Sequence, residues 1–439
     1  MRKNHNYRAA VCTLGCRVNQ YEGDCVISEF TNLGFEIKEF EDICDVYVIN
    51  TCTVTSGSDK KSKQMIRRAK RLNPNAIIAV CGCFSQINPG IFKSELYADI
   101  ICGTREKTKI PQLALEILTI PNSKSEIINS VRDIREYKSY ENISSYRPEK
   151  TRAYVKIQDG CENKCSYCII PRARGSVKSR KYDDIYEEIK RFSDMGKYEI
   201  VLTGIEISAY ENSLIGLLEK LNAESGLKNI KSLRLSSLDP SVINEEFTER
   251  IAVLDKIANH FHLSLQSGSA KILKAMRRKY DAETVIKNIF YAKEKIKDLT
   301  LTADIIVGFP GETDRDFEKT AETIKLLNIY HAHVFTYSKR AGTEAEKFED
   351  QIGENIKNQR SKKIFEICGS VKEKIHMENY GKEFEVIIEE ADHMGFYTAK
   401  TKNFLDVKVK IKNGARLTGT IQKIKITDQN KNCIIGEIL

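Results

Sequence analysis

Three hydrophobic rhythms follow one another along the chain. In the first hundred or so residues, short apolar runs at 9–13, 46–50 and 76–80 alternate with helical stretches. Runs this short, bounded by turn residues, predict strands buried on both faces of a parallel sheet. Residues 56–72 keep a helical spacing rich in Lys and Arg and stop before Asn73-Pro74. Proline disfavours helical backbone in the residue ahead of it, so a helix is expected to end there. These features predict an open parallel α/β sheet over 1–119. The next stretch, 120–150, is polar and carries Pro-Asn-Ser, which predicts a linker.

A second alternation begins at Thr151. Strands are expected at 153–158, 199–203, 232–236, 262–265, 300–307 and 333–336, with helices at 183–195, 215–223, 282–297 and 316–327 between them. Six strand–helix repeats predict a partial (β/α)6 barrel of TIM type over 151–377. Past Gly381 the helical spacing disappears. Runs at 384–390, 396–400, 405–411, 417–426 and 432–438 alternate with period two. They predict a small antiparallel, OB-like β-barrel over 378–439. The expected fold class is thus α/β with an added small β-barrel.

Length and composition change this picture little. A chain of 439 residues suits roughly two to four domains, and 41% hydrophobic residues supply their cores. The net charge of +9 is compatible with a polyanionic partner. From His393 onward, nine Lys/Arg face three Asp/Glu, so the tail holds much of the imbalance. Further basic runs are Arg67-Arg68-Ala69-Lys70-Arg71, Pro171-Arg172-Ala173-Arg174 and Arg277-Arg278-Lys279. A solvated helix face accounts for any one of them. The start, MRKNHNYRAA, has no apolar stretch behind its charges, and no run of about 18 apolar residues occurs. A cytoplasmic protein without a membrane span is expected. Thirteen cysteines in such a protein point to metal or redox work rather than disulfides.

The cysteine spacing carries the chemistry. Cys161, Cys165 and Cys168 stand as C-x3-C-x2-C in QDGCENKCSYCIIPRARG, with no fourth cysteine close by. An iron–sulfur cubane has four irons, each needing a ligand, so three thiolates leave one iron open for a small molecule. A structural zinc site needs four protein ligands, and the next histidine is the distant His260. The loop resembles that of the radical S-adenosylmethionine (SAM) superfamily. A second set lies just past the first three predicted strands: Cys16 in TLGCRVNQYE, Cys52 in NTCTVTS and Cys83 in CGCFSQ. Strand ends of an open parallel sheet share one edge, where ligands bind, so these three can converge. Singly, each reads equally well as a packed cysteine. Cys12, Cys81, Cys25, Cys44, Cys102, Cys368 and Cys433 are expected to pack in cores.

Two cysteine sets, with an α/β domain, a radical SAM barrel and a small basic β-barrel in that order, resemble the methylthiotransferase family over almost the whole chain. TLGC-x-x-N, NTC-x-V and GC-x-x-Q are similar to its N-terminal cluster motifs, and the last domain is similar to its TRAM module, an RNA-binding domain. TLGCRVNQYE is most similar to the branch that modifies threonylcarbamoyladenosine in tRNA. The resemblance implies two [4Fe–4S] clusters, on Cys161, Cys165 and Cys168 and on Cys16, Cys52 and Cys83, together with SAM. It implies transfer of a methylthio group to carbon 2 of N6-threonylcarbamoyladenosine next to the anticodon. A radical made from SAM activates that carbon, the N-terminal cluster holds the sulfur, and a second SAM supplies the methyl group. The implied partners are tRNA and a flavodoxin-like reductase, with a monomer favoured.

Within that frame, further strand-end residues suit SAM. Gly204 permits close backbone approach and Glu206 can accept from an amine. Arg234 can meet a carboxylate bidentately, and Gln266 and Gly308 end later strands. Ordinary turn chemistry explains each of them as well. The polar edge 333–345 has no evident role. Phe384, Phe396, Tyr397 and Phe404 are available either to stack on RNA bases or to build the small barrel's core. Three alternatives stay open: the same reaction on isopentenyl-adenosine tRNA, the same reaction on a ribosomal protein, and a non-catalytic, metal-containing RNA-binding protein.

Overall fold

The computed structural model describes residues 7–120, 127–146, 151–392, 394–410, 417–429 and 433–439. The described residues within 1–147, 155–184 and 338–346 form one compact unit, and those within 148–154, 185–337 and 347–439 form another.

The first unit is built on a six-stranded parallel sheet in the order Glu36–Ile37, Arg8–Thr13, Val46–Thr51, Ile77–Gly82, Ile100–Ile101 and Ile128–Asn129. Alternate residues of each strand enter different cores. Tyr47, Ile49, Ile78 and Val80 pack with Ile66 and Ala69 of the helix Ser56–Leu72. Val46, Val48, Ile77 and Ala79 pack with Val26 and Phe30 of Arg17–Asn32 and with Ile110 and Ala114 of Ile110–Thr119. Burial on both faces is why these strands read as unbroken apolar runs. Thr55 caps the helix Ser56–Leu72 by accepting from the Ser58 amide at 3.1 Å, and Lys70 and Arg71 lie in its last turn, where cations are favoured.

The expected linker differs from expectation within 127–146. Ile128–Asn129 adds the sixth strand, Ile134 and Ile143 are buried, and the Tyr21 hydroxyl donates to the Ile143 carbonyl at 2.7 Å. Scattered single apolar residues anchor this polar segment, too sparse to show as periodicity. Residues 121–126 and 147–150 of the expected linker lie outside the described residues.

The second unit contains the parallel strands in two pieces. One has the order Ser232–Leu235, Glu199–Thr203 and Ala153–Lys156, the last only partly within this unit. The other has the order Ser237–Leu238, His260–Gln266, Thr300–Val307 and Ile329–Thr336. The break falls at Ser236: the strand expected at 232–236 is Ser232–Leu235, and a further short strand, Ser237–Leu238, follows it in the other piece. Phe261 packs against Phe247 of the helix Glu245–Ala252, on the outer face of its strand. The other face is polar. His262 bonds Thr302 at 2.7 Å and Asp304 at 3.1 Å, and its ring lies edge-on to His333. The 25-residue helix Glu354–Glu378 went unpredicted because its apolar stripe, with Ile364, Ile367, Cys368 and Val371 buried, is narrow among many charges.

At the C-terminus, Glu383–Ala391, Phe396–Thr401, Asp406–Lys410, Ile434–Ile438 and Ile421–Gln429 close a five-stranded barrel. It is not wholly antiparallel: Asp406–Lys410 pairs parallel with Ile434–Ile438. The predicted runs 405–411 and 432–438 extend in part onto residues outside the description. Among the described residues, no helix is long and apolar enough to cross a membrane.

Candidate active site

In the first unit, the three strand-end cysteines come together. Cys16 immediately precedes the helix Arg17–Asn32, Cys52 follows Val46–Thr51, and Cys83 begins the short helix Cys83–Ile87. Asn19, of TLGC-x-x-N, stitches two of these turns by donating to the Leu14 carbonyl at 2.9 Å and the Thr51 carbonyl at 3.0 Å. Gly15 has φ +94°, and a Cβ there would stand 2.6 Å from the Cys52 sulfur, so only glycine lets this turn lie on that thiol. Burial pushes the Cys52 thiol up to about 11, and charge on Cys83 and Cys16 adds to the rise. The Cys16 thiol is also raised, first by burial, with Arg174 opposing and Cys83 adding. The three sulfurs are therefore within electrostatic reach of one another.

Among the described residues, no three His, Cys, Asp or Glu side chains stand close enough for a single metal ion. A cubane differs in that each thiolate binds its own iron at a separate corner, which spaces the sulfurs more widely. Convergent thiols at neighbouring strand ends, with a glycine turn pressed on one of them, fit that larger group.

The second cysteine set belongs to the same unit. The Cys161 amide donates to the Gly175 carbonyl at 3.0 Å and the Cys168 amide to the Cys165 carbonyl at 3.1 Å, which closes the loop. Gly160, at φ +76°, precedes it, and a Cβ there would lie 1.9 Å from the Ser176 carbonyl oxygen. All three cysteines are half-buried.

Two features here escaped the sequence. One is a buried charge network. Glu22 contacts Lys107, pairs with Lys156 at 2.7 Å and pairs with Arg174 at 2.5 Å; Asp159 pairs with Lys156 at 2.6 Å. Burial alone would raise the Glu22 carboxyl, but Arg174, Lys107 and Lys156 outweigh it and hold it well below the usual range. The same contest leaves Asp159 at about 2. The other is the placement of the segment 338–346, which holds most of the polar edge 333–345. It folds onto both cysteine loops: Arg340 donates to Thr53 at 2.5 Å and Asp59 at 2.7 Å, beside Cys52, and the Ala345 amide donates to the Ser166 carbonyl at 2.8 Å.

In the second unit, Gly204, Glu206, Gln266 and Gly308 all lie at the C-terminal ends of parallel strands. Glu206 accepts from the Ser208 amide at 3.3 Å, and burial together with the nearby Asp239 charge pushes its carboxyl up to about 7. Asp239 is ion-paired at 2.7 Å with Arg278, whose side chain is buried rather than part of a solvated basic face. Gln266 is buried at φ +63°. Gly308 donates to Glu312 at 2.7 Å. Gly268 serves packing: a Cβ there would meet the Thr323 hydroxyl at 2.4 Å.

Arg234 departs from its expected role. Its Nε and Nη2 bond both oxygens of Glu199 at 3.0 and 2.7 Å, and its guanidinium lies 5.2 Å from the Phe404 ring. The carboxylate it meets is the chain's own, because Glu199 stands at the opposite end of the neighbouring strand from the C-terminal edge. Phe404 is corrected with it. It stacks on His260 at 4.1 Å, so it docks the small barrel on the larger one instead of offering a free ring. Tyr397 is in the small barrel's core and Phe384 packs on it, while half-buried Phe396 lies under Lys408.

Residues 155–324 match the Radical SAM superfamily model, and residues 8–103 match one described as uncharacterized protein family UPF0004. The chain is 38% identical, over 94% of its length and 92% of the relative's, to "Threonylcarbamoyladenosine tRNA methylthiotransferase MtaB" of Bacillus subtilis.

The chain belongs to the radical SAM methylthiotransferases.

A relative of the same name from Aquifex aeolicus is 34% identical over 95% of this chain and the whole of the relative. "tRNA-2-methylthio-N(6)-dimethylallyladenosine synthase" of Thermoanaerobacter pseudethanolicus is 33% identical over 100% of this chain and 94% of the relative. Among solved structures, the radical SAM methyltransferase TsrM of Kitasatospora setae, with tryptophan and a SAM analogue bound, has a TM-score of 0.52 at 14% identity, over 74% of this chain and 72% of that one. This likeness is one of fold. As a methylthiotransferase, the chain is an enzyme that uses SAM and [4Fe–4S] clusters, and the family takes the place of the zinc reading.

Proposed function

We propose that this methylthiotransferase acts on tRNA, adding a methylthio group to carbon 2 of N6-threonylcarbamoyladenosine next to the anticodon. The observation that carries this reading is the 38% identity to a threonylcarbamoyladenosine tRNA enzyme along nearly the whole of both chains. Cys161, Cys165 and Cys168 would hold one cluster and Cys16, Cys52 and Cys83 the other. The clusters and SAM supply the radical and the sulfur; the protein holds the sulfurs, orients SAM and excludes water. Residues 1–119 form the methylthiotransferase domain, 151–377 the radical SAM core and 378–439 a TRAM module for RNA. The enzyme works as a cytoplasmic monomer with a flavodoxin-like reductant.

Phosphate contacts have candidates outside the tail. On the helix Ser56–Leu72, Lys60, Gln64, Arg67 and Arg71 are exposed at a spacing that puts them in one row. Such a row suits a phosphate backbone. Mass spectrometry of tRNA nucleosides from cells with and without the gene tests the proposal. Loss of 2-methylthio-N6-threonylcarbamoyladenosine on deletion is expected. Loss of the dimethylallyl product instead, or no change, would refute it.

SAM recognition gives a second expected result. We assign Glu206, Gly204, Gln266 and Gly308 to the SAM site and leave out Arg234. With the Glu206 carboxyl at about 7, it is ionised above that pH and can accept from the SAM amine. Below it, the carboxyl is protonated and that attraction is lost. SAM affinity should therefore rise with pH through about 7, and Glu206→Gln should flatten this rise in equilibrium binding of SAM.

A further inference from the structure

Arg174 is a buried charged side chain that reaches a cysteine of the first unit. It ends the helix Ile170–Arg174, six residues past Cys168, and its side chain is fully buried. Each of its three nitrogens has a partner. Nη1 bonds Glu22 at 2.5 Å and lies 3.4 Å from Asp159; Nη2 bonds Asn19 at 2.6 Å and Glu22 at 3.0 Å. The planar fork is thus locked on one edge, and the remaining Nε–H points at the Cys83 sulfur, at 3.4 Å. Lysine, a flexible point charge, cannot reproduce that aim.

A purely structural ion pair is the competing explanation. Burying one is costly, and an apolar replacement often serves stability as well. What such a pair does not explain is the third contact. Its partners are also placed to serve both cysteine sets. Asn19 stitches the Cys16 and Cys52 turns, and Asp159 accepts from the Gly160 amide immediately ahead of Cys161. Donors to ligating sulfurs and nearby positive charge favour the more negative, reduced state of a cluster, and so raise its potential.

We infer that Arg174 is a positioning residue for the N-terminal cluster, donating through Nε to Cys83 and raising the potential of that cluster's one-electron couple. This rests on the assignment of Cys16, Cys52 and Cys83 as its ligands. The test uses full-length protein, reconstituted without oxygen and titrated with mediators under electron paramagnetic resonance, with the Cys161-Cys165-Cys168 cluster as reference in the same sample. Arg174→Lys should shift the N-terminal couple to more negative potential, by more than it shifts the reference. Arg174→Gln removes the charge as well as the donor, leaves Glu22 and Asp159 matched by Lys107 and Lys156, and should shift the couple further. Loss of N-terminal iron from a variant whose thermal unfolding and reference cluster are unchanged would equally support positioning. Wild-type potentials at full iron in both variants would overturn the inference. A wild-type protein with only the reference cluster would sink the ligand assignment and the inference with it.

Discussion

Cys165→Ala is expected to abolish reductive cleavage of SAM. The loop that carries Cys161, Cys165 and Cys168 is closed through the backbone, with the Cys168 amide bonded to the Cys165 carbonyl and the Cys161 amide bonded to Gly175. A backbone-held loop survives loss of one side chain, so the variant should fold. On the proposed assignment it loses a ligand, and two thiolates cannot keep a cubane that needs three to leave a single open corner. Iron should fall from about eight per chain toward about four. 5′-Deoxyadenosine formed with dithionite and SAM should drop to background, and methylthio product with it. Cleavage near the wild-type rate in Cys165→Ala would show that SAM is bound elsewhere.

Cys52→Ala should separate the two halves of the reaction. The Cys52 thiol is buried beside Gly15, and charge on Cys16 and Cys83 reaches it. On the proposed assignment, removing it takes one ligand from the N-terminal cluster and leaves the C-x3-C-x2-C loop unchanged. 5′-Deoxyadenosine should therefore still form while methylthio product disappears. The lost side chain is small, and the vacated volume lies next to the glycine turn, so the thermal unfolding temperature should change by only a few degrees, corresponding to about 1 kcal/mol. The two products, measured in one assay by liquid chromatography and mass spectrometry, decide the matter. Methylthio product from Cys52→Ala would refute the assignment of the N-terminal cluster.

Loss of SAM cleavage in Cys165→Ala and its survival in Cys52→Ala would together assign one role to each set. The reverse pattern would exchange the roles. Neither result depends on which modified adenosine is the substrate, so they test the site separately from the nucleoside analysis.

Much of the fold was legible because hydrophobic periodicity is a local property. The strands at 46–51, 77–82, 199–203 and 300–307 lie within a residue or two of their expected places. So do the change to period two near Gly381 and the helix Ser56–Leu72. Both cysteine sets were visible as well, one through tight spacing and the other through position just past strands. Long-range contacts were not visible. Arg174 and Cys83 are 91 residues apart, and nothing near either one announces the other. Arg234 was expected to meet a carboxylate of SAM and Arg278 to belong to a solvated basic run, but Glu199 and Asp239 are their buried partners.

Sequence alone determined the kinds of element and their order, and it singled out six cysteines as candidate iron ligands. Tertiary structure decided which groups meet. It placed Arg174 on Cys83, turned Arg234 inward to Glu199, docked Phe404 on His260 and folded 338–346 back over both cysteine loops. The physical reason is that the spacing of apolar residues specifies how each segment buries its own face. Strand order and register, which involve the whole chain, specify which strand ends share an edge, and so which side chains become neighbours.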